Sequence, residues 1–236
     1  MLSKGKLYII PVPISDDTLH KVIPDYNREL IGNMRCFVVE KLKTARQFLR
    51  GLISDFPIDD SVFYELDKHA NYAVDNELKS VLLSGKDIGL MSESGYPGVA
   101  DPGTTVVQLA HGLGVEVIPL VGPGSVFMAL AASGLNGQGF TFHGYLPKKE
   151  NELNQALKNI AQQILKTGYA QIFIETPYRN MKMLEEILHV CQPKTRLCIA
   201  VDITLETEFI KTKTVKEWKT QLPDLSKRPC IFLIYK

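Results

Sequence analysis

The 236-residue sequence has no GxGxxG after its first apolar run and no GxxxxGK[ST] anywhere, so neither a dinucleotide nor a triphosphate site of the usual kind has an anchor. It has little charge imbalance: 27 basic and 26 acidic side chains leave a formal net charge of +1. That excludes a global basic field of the kind that advertises nucleic-acid binding, although a local patch needs no net charge. Long hydrophobic runs are missing too. The N-terminal "LYIIPVPI" is broken by prolines and is too short for a signal segment or a membrane span. The four cysteines, Cys36, Cys191, Cys198 and Cys230, make no CxxC pair, and His20, His111, His143 and His189 lack ligand spacing. Reduced, buried thiols in a cytoplasmic protein without a metal are expected.

Short apolar runs that alternate with helix-period segments are present almost throughout, which is the pattern of a mostly parallel or mixed sheet covered by helices. The chain is long enough, and at 45% hydrophobic residues apolar enough, for two α/β domains. Strands are expected at 6–12, 36–40, 87–93, 115–121, 140–146, 170–176, 196–202, 208–215 and 230–235. Helical periods stand at Leu42, Ala45, Phe48, Leu49 and Leu52 and at Leu78, Val81 and Leu82, with further helices after Thr104, Ser125, Glu150 and Pro177. The stripe Met181, Leu184 and Leu188 reads as core. A boundary is placed at 119/120, giving an N-terminal α/β domain over 1–119 and a C-terminal one over 120–236.

Glycine and proline are concentrated in three loops that each follow an expected strand: "PVPIS" (11–15), "SESGYPGVADPG" (92–103) and "VGPGS" (121–125). Proline fixes φ and removes a donor, and small residues allow a ligand close to the backbone. One such loop is an ordinary strand–turn–helix connection, with Ser125 placed to cap its helix. Three of them suggest a shared ligand site at the strands' carboxyl ends.

These loops, with "FHGYLPKK" and "IFIETPYRNMKMLEEI", occur in the order and spacing of the tetrapyrrole methylase superfamily, the class III S-adenosylmethionine-dependent methyltransferases. The chain resembles most the branch that methylates a ribose 2′-hydroxyl of small-subunit ribosomal RNA. The resemblance spans essentially the whole chain. It implies two α/β domains with S-adenosylmethionine in the cleft between them, and a homodimer. Carried over by position, it assigns Pro11, Tyr96, Val99, Gly124, Ser125, Glu175, Thr176 and Thr204 to the cofactor. Three acceptor-side segments depart from the family pattern. Pro13-Ile14-Ser15-Asp16 stands where ribose-methylating relatives usually show Pro-Ile-Gly-Asn. The Glu-Asp-Thr-Arg after their second strand becomes the segment Glu40 to Arg46, and Ser92-Glu93-Ser94-Gly95-Tyr96-Pro97 replaces Ser-Asp-Ala-Gly-Thr-Pro.

Catalytic candidates are Glu40, Arg46 and His69. Glu40 ends a strand and either orients or deprotonates the acceptor or caps the next helix. Arg46 with Arg50 forms a basic helix face, for phosphate contact or simply for water. His69 is matched by a histidine in the ribose-methylating branch and is either functional or structural. Asp101 has turn chemistry as its ordinary role. Tyr178 either contacts the donor's adenine or covers it, and Trp218 in the lysine-rich "KTKTVKEWK" either stacks on an RNA base or sits on a solvated amphipathic helix. Three readings stay open: methylation of ribosomal RNA or the small subunit, C-methylation of a tetrapyrrole intermediate, and a donor-binding module without transferase activity.

Overall fold

The computed structural model describes residues 5–66 and 73–236. The chain divides into two compact units, Met1–Gly124 and Ser125–Lys236, and the loop "VGPG" thus stays with the first.

In the first unit, β1 (Lys6–Ile9), β2 (Cys36–Val39), β3 (Val62–Glu65), β4 (Ile88–Met91) and β5 (Glu116–Pro119) form one sheet in the order β3-β2-β4-β1-β5, every pair parallel. The central strands β2 and β4 are buried at every residue, as strands covered on both faces must be, and their runs are accordingly unbroken apolar rather than alternating. The covering helices are α1 (Leu19–Val22), α2 (Asp25–Asn33), α3 (Leu42–Leu52), α4 (Ala73–Leu82) and α5 (Thr104–Gly112). Two clusters make the core. One side packs Phe37, Val39, Phe48, Leu49 and Leu52, and the other Leu7, Val38, Leu82, Leu90 and Val106. Because the strands are all parallel, the loops after β1, β2, β4 and β5 emerge at one edge of the sheet, which is where α/β sheets bind ligands.

In the second unit, β6 (Phe140–Tyr145), β7 (Ala170–Glu175), β8 (Arg196–Val201), β9 (Phe209–Thr214) and β10 (Cys230–Tyr235) form a mixed sheet in the order β6-β7-β10-β8-β9. Only β6 and β7 are parallel, joined by the long helix α7 (Glu150–Thr167); the other pairs are antiparallel. α6 (Ser125–Ser133), α8 (Asn180–Val190) and the single turn α9 (Val215–Trp218) complete it. The stripe Met181, Leu184 and Leu188 packs into the core with Met183 and Ile187.

All nine expected strands are present, and β3 is an addition. In the lysine-rich C-terminal stretch the expected strand forms, but no amphipathic helix follows it. Residues 209–214 are strand, and Val215–Trp218 is one turn closed by a capping box in which Thr214 and Glu217 exchange hydrogen bonds. Trp218 is only 1% exposed and donates its indole N–H to the Leu197 carbonyl at 2.8 Å, while Lys213 covers its ring. A buried ring has no face to offer a base, so the stacking role is withdrawn.

Candidate active site

The crowded loop after β4 is tied to both neighbouring loops of the first unit. Gly95, at φ +73°, exchanges two backbone hydrogen bonds with Val12, 2.9 and 2.6 Å, forming an antiparallel bridge between the loops after β1 and β4. A side chain at that φ would be strained, which accounts for glycine there. The half-buried Tyr96 reaches the third loop: its hydroxyl accepts from the Gly122 N–H at 3.0 Å and donates to the Leu120 carbonyl at 3.0 Å. Pro11 is buried and its ring lies against Gly122, where an added Cβ would stand 2.2 Å from the proline Cγ. At Gly124 a Cβ would meet only the Tyr96 ring, at 3.5 Å. The steric demand within the protein therefore falls on Gly122, and Gly124 leaves open space beside Tyr96. Val99 is 50% exposed, beyond the Tyr96–Val99 turn.

Glu40 stands just past the carboxyl end of β2 and is buried; its Oε2 accepts from the Glu93 N–H at 3.2 Å, and its own N–H donates to the Met91 carbonyl. The carboxylate thus joins the ends of β2 and β4. The first turn of α3 is met from β3, where Glu65 Oε1 accepts from the Leu42 N–H at 3.2 Å. The Glu93 side chain holds the Lys41 ammonium at 2.7 Å, and this hydrogen bond raises the lysine pKa above its ordinary value. Glu93, Thr44 and Gln47 line a pocket of about 340 Å³ with Ser15 and Asp17. Ser15 and Glu93 occupy the positions where the sequence departs from the family pattern, so those departures sit inside this pocket. Arg46 is exposed on α3 with its guanidinium 5.4 Å from the centre of the Phe63 ring. His69 lies outside the described residues.

In the second unit, Glu175 ends β7 and is buried. Its Oε1 accepts from the N–H and the hydroxyl of Thr176, at 2.7 and 3.2 Å. Its Oε2 lies 3.3 Å from Arg179 Nη2 but has no hydrogen-bond partner, and neither does Arg179 Nη1. Buried polar atoms left this way cost stability unless a ligand or water completes them. Thr204 adopts φ +82°, a genuine outlier for a β-branched residue, and Asp202 adopts φ +51°. The turn is held by Asp202, whose Oδ2 accepts from Arg228 Nε and from the Thr207 hydroxyl, each at 2.8 Å, and by the Thr204 N–H donating to Glu208 at 2.7 Å. Such over-determined strain concentrates at functional sites. Ser125 is exposed and opens α6 as its first helical residue, one position inside the expected cap. Tyr178 is 83% exposed.

Sequence reasoning missed Ser15, Asp16, Gln47 and Glu93 as pocket residues. For Ser15, Asp16 and Glu93 the signal lay in the departures after β1 and β4, which mark positions without saying which side chains turn inward, and Gln47 carried none.

No protein-family model matches the chain. It is 30% identical over 234 residues to the ribosomal RNA small subunit methyltransferase I of Vibrio cholerae, covering 97% of this chain and 76% of that protein. Against the protein of the same name from Buchnera aphidicola it is 29% identical, covering 91% and 72%. Among solved structures, the methyltransferase CobJ superposes with a TM-score of 0.61 at 17% identity, over 98% of this chain and 94% of that one, which establishes the shared fold. The tetrapyrrole methylase resemblance read from the loops is borne out, and the chain belongs to the ribosomal RNA small subunit methyltransferase I family.

Proposed function

We propose that this protein transfers a methyl group from S-adenosylmethionine to a ribose 2′-hydroxyl of small-subunit ribosomal RNA. The observation that carries the reading is kinship over nearly the whole chain with proteins named for that RNA. The unit 1–124 serves the acceptor and part of the donor, and the unit 125–236 serves the donor.

Glu175 Oε2, ion-paired with Arg179 but without a hydrogen bond, fits a donor such as a ribose hydroxyl or an ammonium of the cofactor. Thr176 and the strained Thr204 stand at the ends of β7 and β8, and in this reading they and Ser125 hold the donor. In the first unit that task falls to Pro11, Tyr96, Val99 and Gly124. When bound, the sulfonium supplies an already activated methyl group, so no metal and no covalent enzyme intermediate are required. The chain's contribution is alignment, which is worth roughly 7–11 kcal/mol in well-oriented reactions. Glu40, buried and fixed by the Glu93 N–H, orients the acceptor hydroxyl and takes its proton as the new bond forms. Arg46 contacts a phosphate of the acceptor strand, and His69 is assigned to the same side by resemblance.

We also infer a homodimer working in the cytoplasm. Phe127 and Met128 are exposed on the apolar helix α6, which supports burial against a second copy. The four cysteines are free and buried, in keeping with a reducing compartment. No helix among the described residues is long and apolar enough to cross a membrane.

The test is transfer of labelled methyl to small-subunit particles from a strain lacking the gene, beside a parallel reaction containing uroporphyrinogen and precorrin intermediates. Label in ribosomal RNA supports the reading, and nuclease mapping then locates the site. Label in the macrocycle, or donor binding with label in neither, replaces it with a C-methylase or a binding module.

A further inference from the structure

α3 carries two faces of opposite character. Ala45, Phe48, Leu49 and Leu52 are buried in the core, while Lys43, Arg46, Gln47 and Arg50 are exposed. At about 100° per residue the four exposed side chains fall within an arc of roughly 100°, directly opposite the buried set. They line an open groove of about 840 Å³ whose other walls include Asp16 and Glu65.

Both carboxylates are already engaged by α3 itself. Asp16 Oδ2 accepts from Gln47 Nε2 at 2.8 Å, and Glu65 Oε1 accepts from the Leu42 N–H. Neither forms an ion pair with the three cations among the described residues. Lys43 and Arg50 therefore present their charge to solvent, and Arg46 lies over the Phe63 ring, a contact that positions its guanidinium without neutralising it. Among the described residues these three cations outnumber the two carboxylates of the groove, and none is held in an ion pair, so their charge is open to an anion that spans them.

We infer that this groove binds consecutive phosphates of one strand of the acceptor RNA. The inference rests on the proposed function and adds where the strand lies. From Lys43 to Arg50 the helix rises about 10 Å, the reach of a few consecutive phosphates of one strand. The groove shares Asp16 and Gln47 with the pocket that holds Glu93. A strand seated along α3 is thereby delivered to the edge of the sheet where Glu40 stands. Lys43 and Arg50 are positioning residues: they set where the strand lies and take no part in the transfer.

The test uses the full-length protein and a short fluorescein-labelled oligouridylate, with binding followed by anisotropy across a salt series. The double variant Lys43→Gln/Arg50→Gln should lower the slope of log affinity against log salt by about 1.4, two single-strand contacts at roughly 0.7 each. Its KM for small-subunit RNA should rise about tenfold at moderate salt, with kcat at saturating RNA and the donor Kd unchanged. The charge-conserving Lys43→Arg/Arg50→Lys should keep the wild-type slope. An unchanged slope in the glutamine variant overturns the inference, and so does oligoglutamate binding as tightly as oligouridylate, which would make the groove a site for acidic peptide. Oligouridylate binding needs no methyl transfer. If ribosomal RNA is not methylated but the slope falls as stated, the proposed acceptor fails while the groove assignment stands.

Discussion

The Tyr96 hydroxyl sits between two backbone groups of the loop after β5, accepting from the Gly122 N–H and donating to the Leu120 carbonyl at 3.0 Å each. One side chain therefore fixes the spacing of two of the three glycine–proline loops. Tyr96→Phe leaves both backbone groups short of a partner, and a cost of about 1–3 kcal/mol is expected in denaturant unfolding. Donor affinity, measured by calorimetry, should fall with it, since the loop carrying Gly124 loses its tether.

The two glycines of that loop should respond differently to substitution. Gly122→Ala drives a Cβ into the rigid Pro11 ring, and overpacking of this kind costs about 1–3 kcal/mol. Gly124→Ala has room and should change stability by less than about 0.5 kcal/mol. Gly124→Val should fold and bind the donor weakly, because the branched side chain fills the space of the proposed close approach. Thermal unfolding separates stability from calorimetric affinity in each case.

Glu40→Gln keeps the shape of the side chain and an oxygen able to accept from the Glu93 N–H, but it removes the carboxylate. Turnover should fall by about tenfold or more while the donor Kd stays nearly constant, the signature of an interaction made in the transition state. Single-turnover methyl transfer at saturating donor measures it, and full activity in the variant would remove Glu40 from the chemistry.

Trp218 belongs to the core of the second unit. Trp218→Ala should cost about 3–5 kcal/mol, the usual loss for deleting a fully buried aromatic. The milder Trp218→Phe should lower the unfolding midpoint and leave the KM for RNA unchanged at temperatures where the variant is folded. A raised KM in a fully folded Trp218→Phe protein would restore the stacking role.

Burial pushes the Cys36 and Cys191 thiols up to about 11, so the native protein disfavours both thiolates. Because the folded pKa lies above the unfolded one, the stabilising contribution is fully present below a pH of about 8.5 and is lost as pH rises toward 11. Denaturation midpoints should fall between about pH 8.5 and pH 10.5. Disulfide-exchange reagents should label the native protein only slowly until denaturant is added.

The strands were legible because their signal is local. Runs such as "CFVV" and "CIFLIY" are hydrophobic at every position, as buried central strands require. β3 was not legible: Val62–Glu65 is an edge strand of four residues, exposed at both ends and too short for a period to show. α2 was missed for a related reason. Only Asn27 and Ile31 of that helix are buried, so its polar sequence carries no stripe. The strand "FIKTKT" was legible, but the turn after it was misread because one helical turn is short and the burial of Trp218 depends on β8 and β9 arriving beside it.

The sequence by itself determined the α/β class, the alternation of strand and helix, and the three loops where glycine and proline accumulate. These follow from side-chain periodicity and from backbone restrictions that each residue carries wherever it sits. Only the tertiary structure decided which glycine is sterically required, which carboxylates face a pocket, and that Lys43, Arg46 and Arg50 share a groove with Asp16 and Glu65 already engaged. Those facts depend on distances between residues far apart in the chain. Pro11 lies against Gly122, and Glu40 against Glu93, only because parallel pairing brings β1 beside β4 and β5, and β2 beside β4.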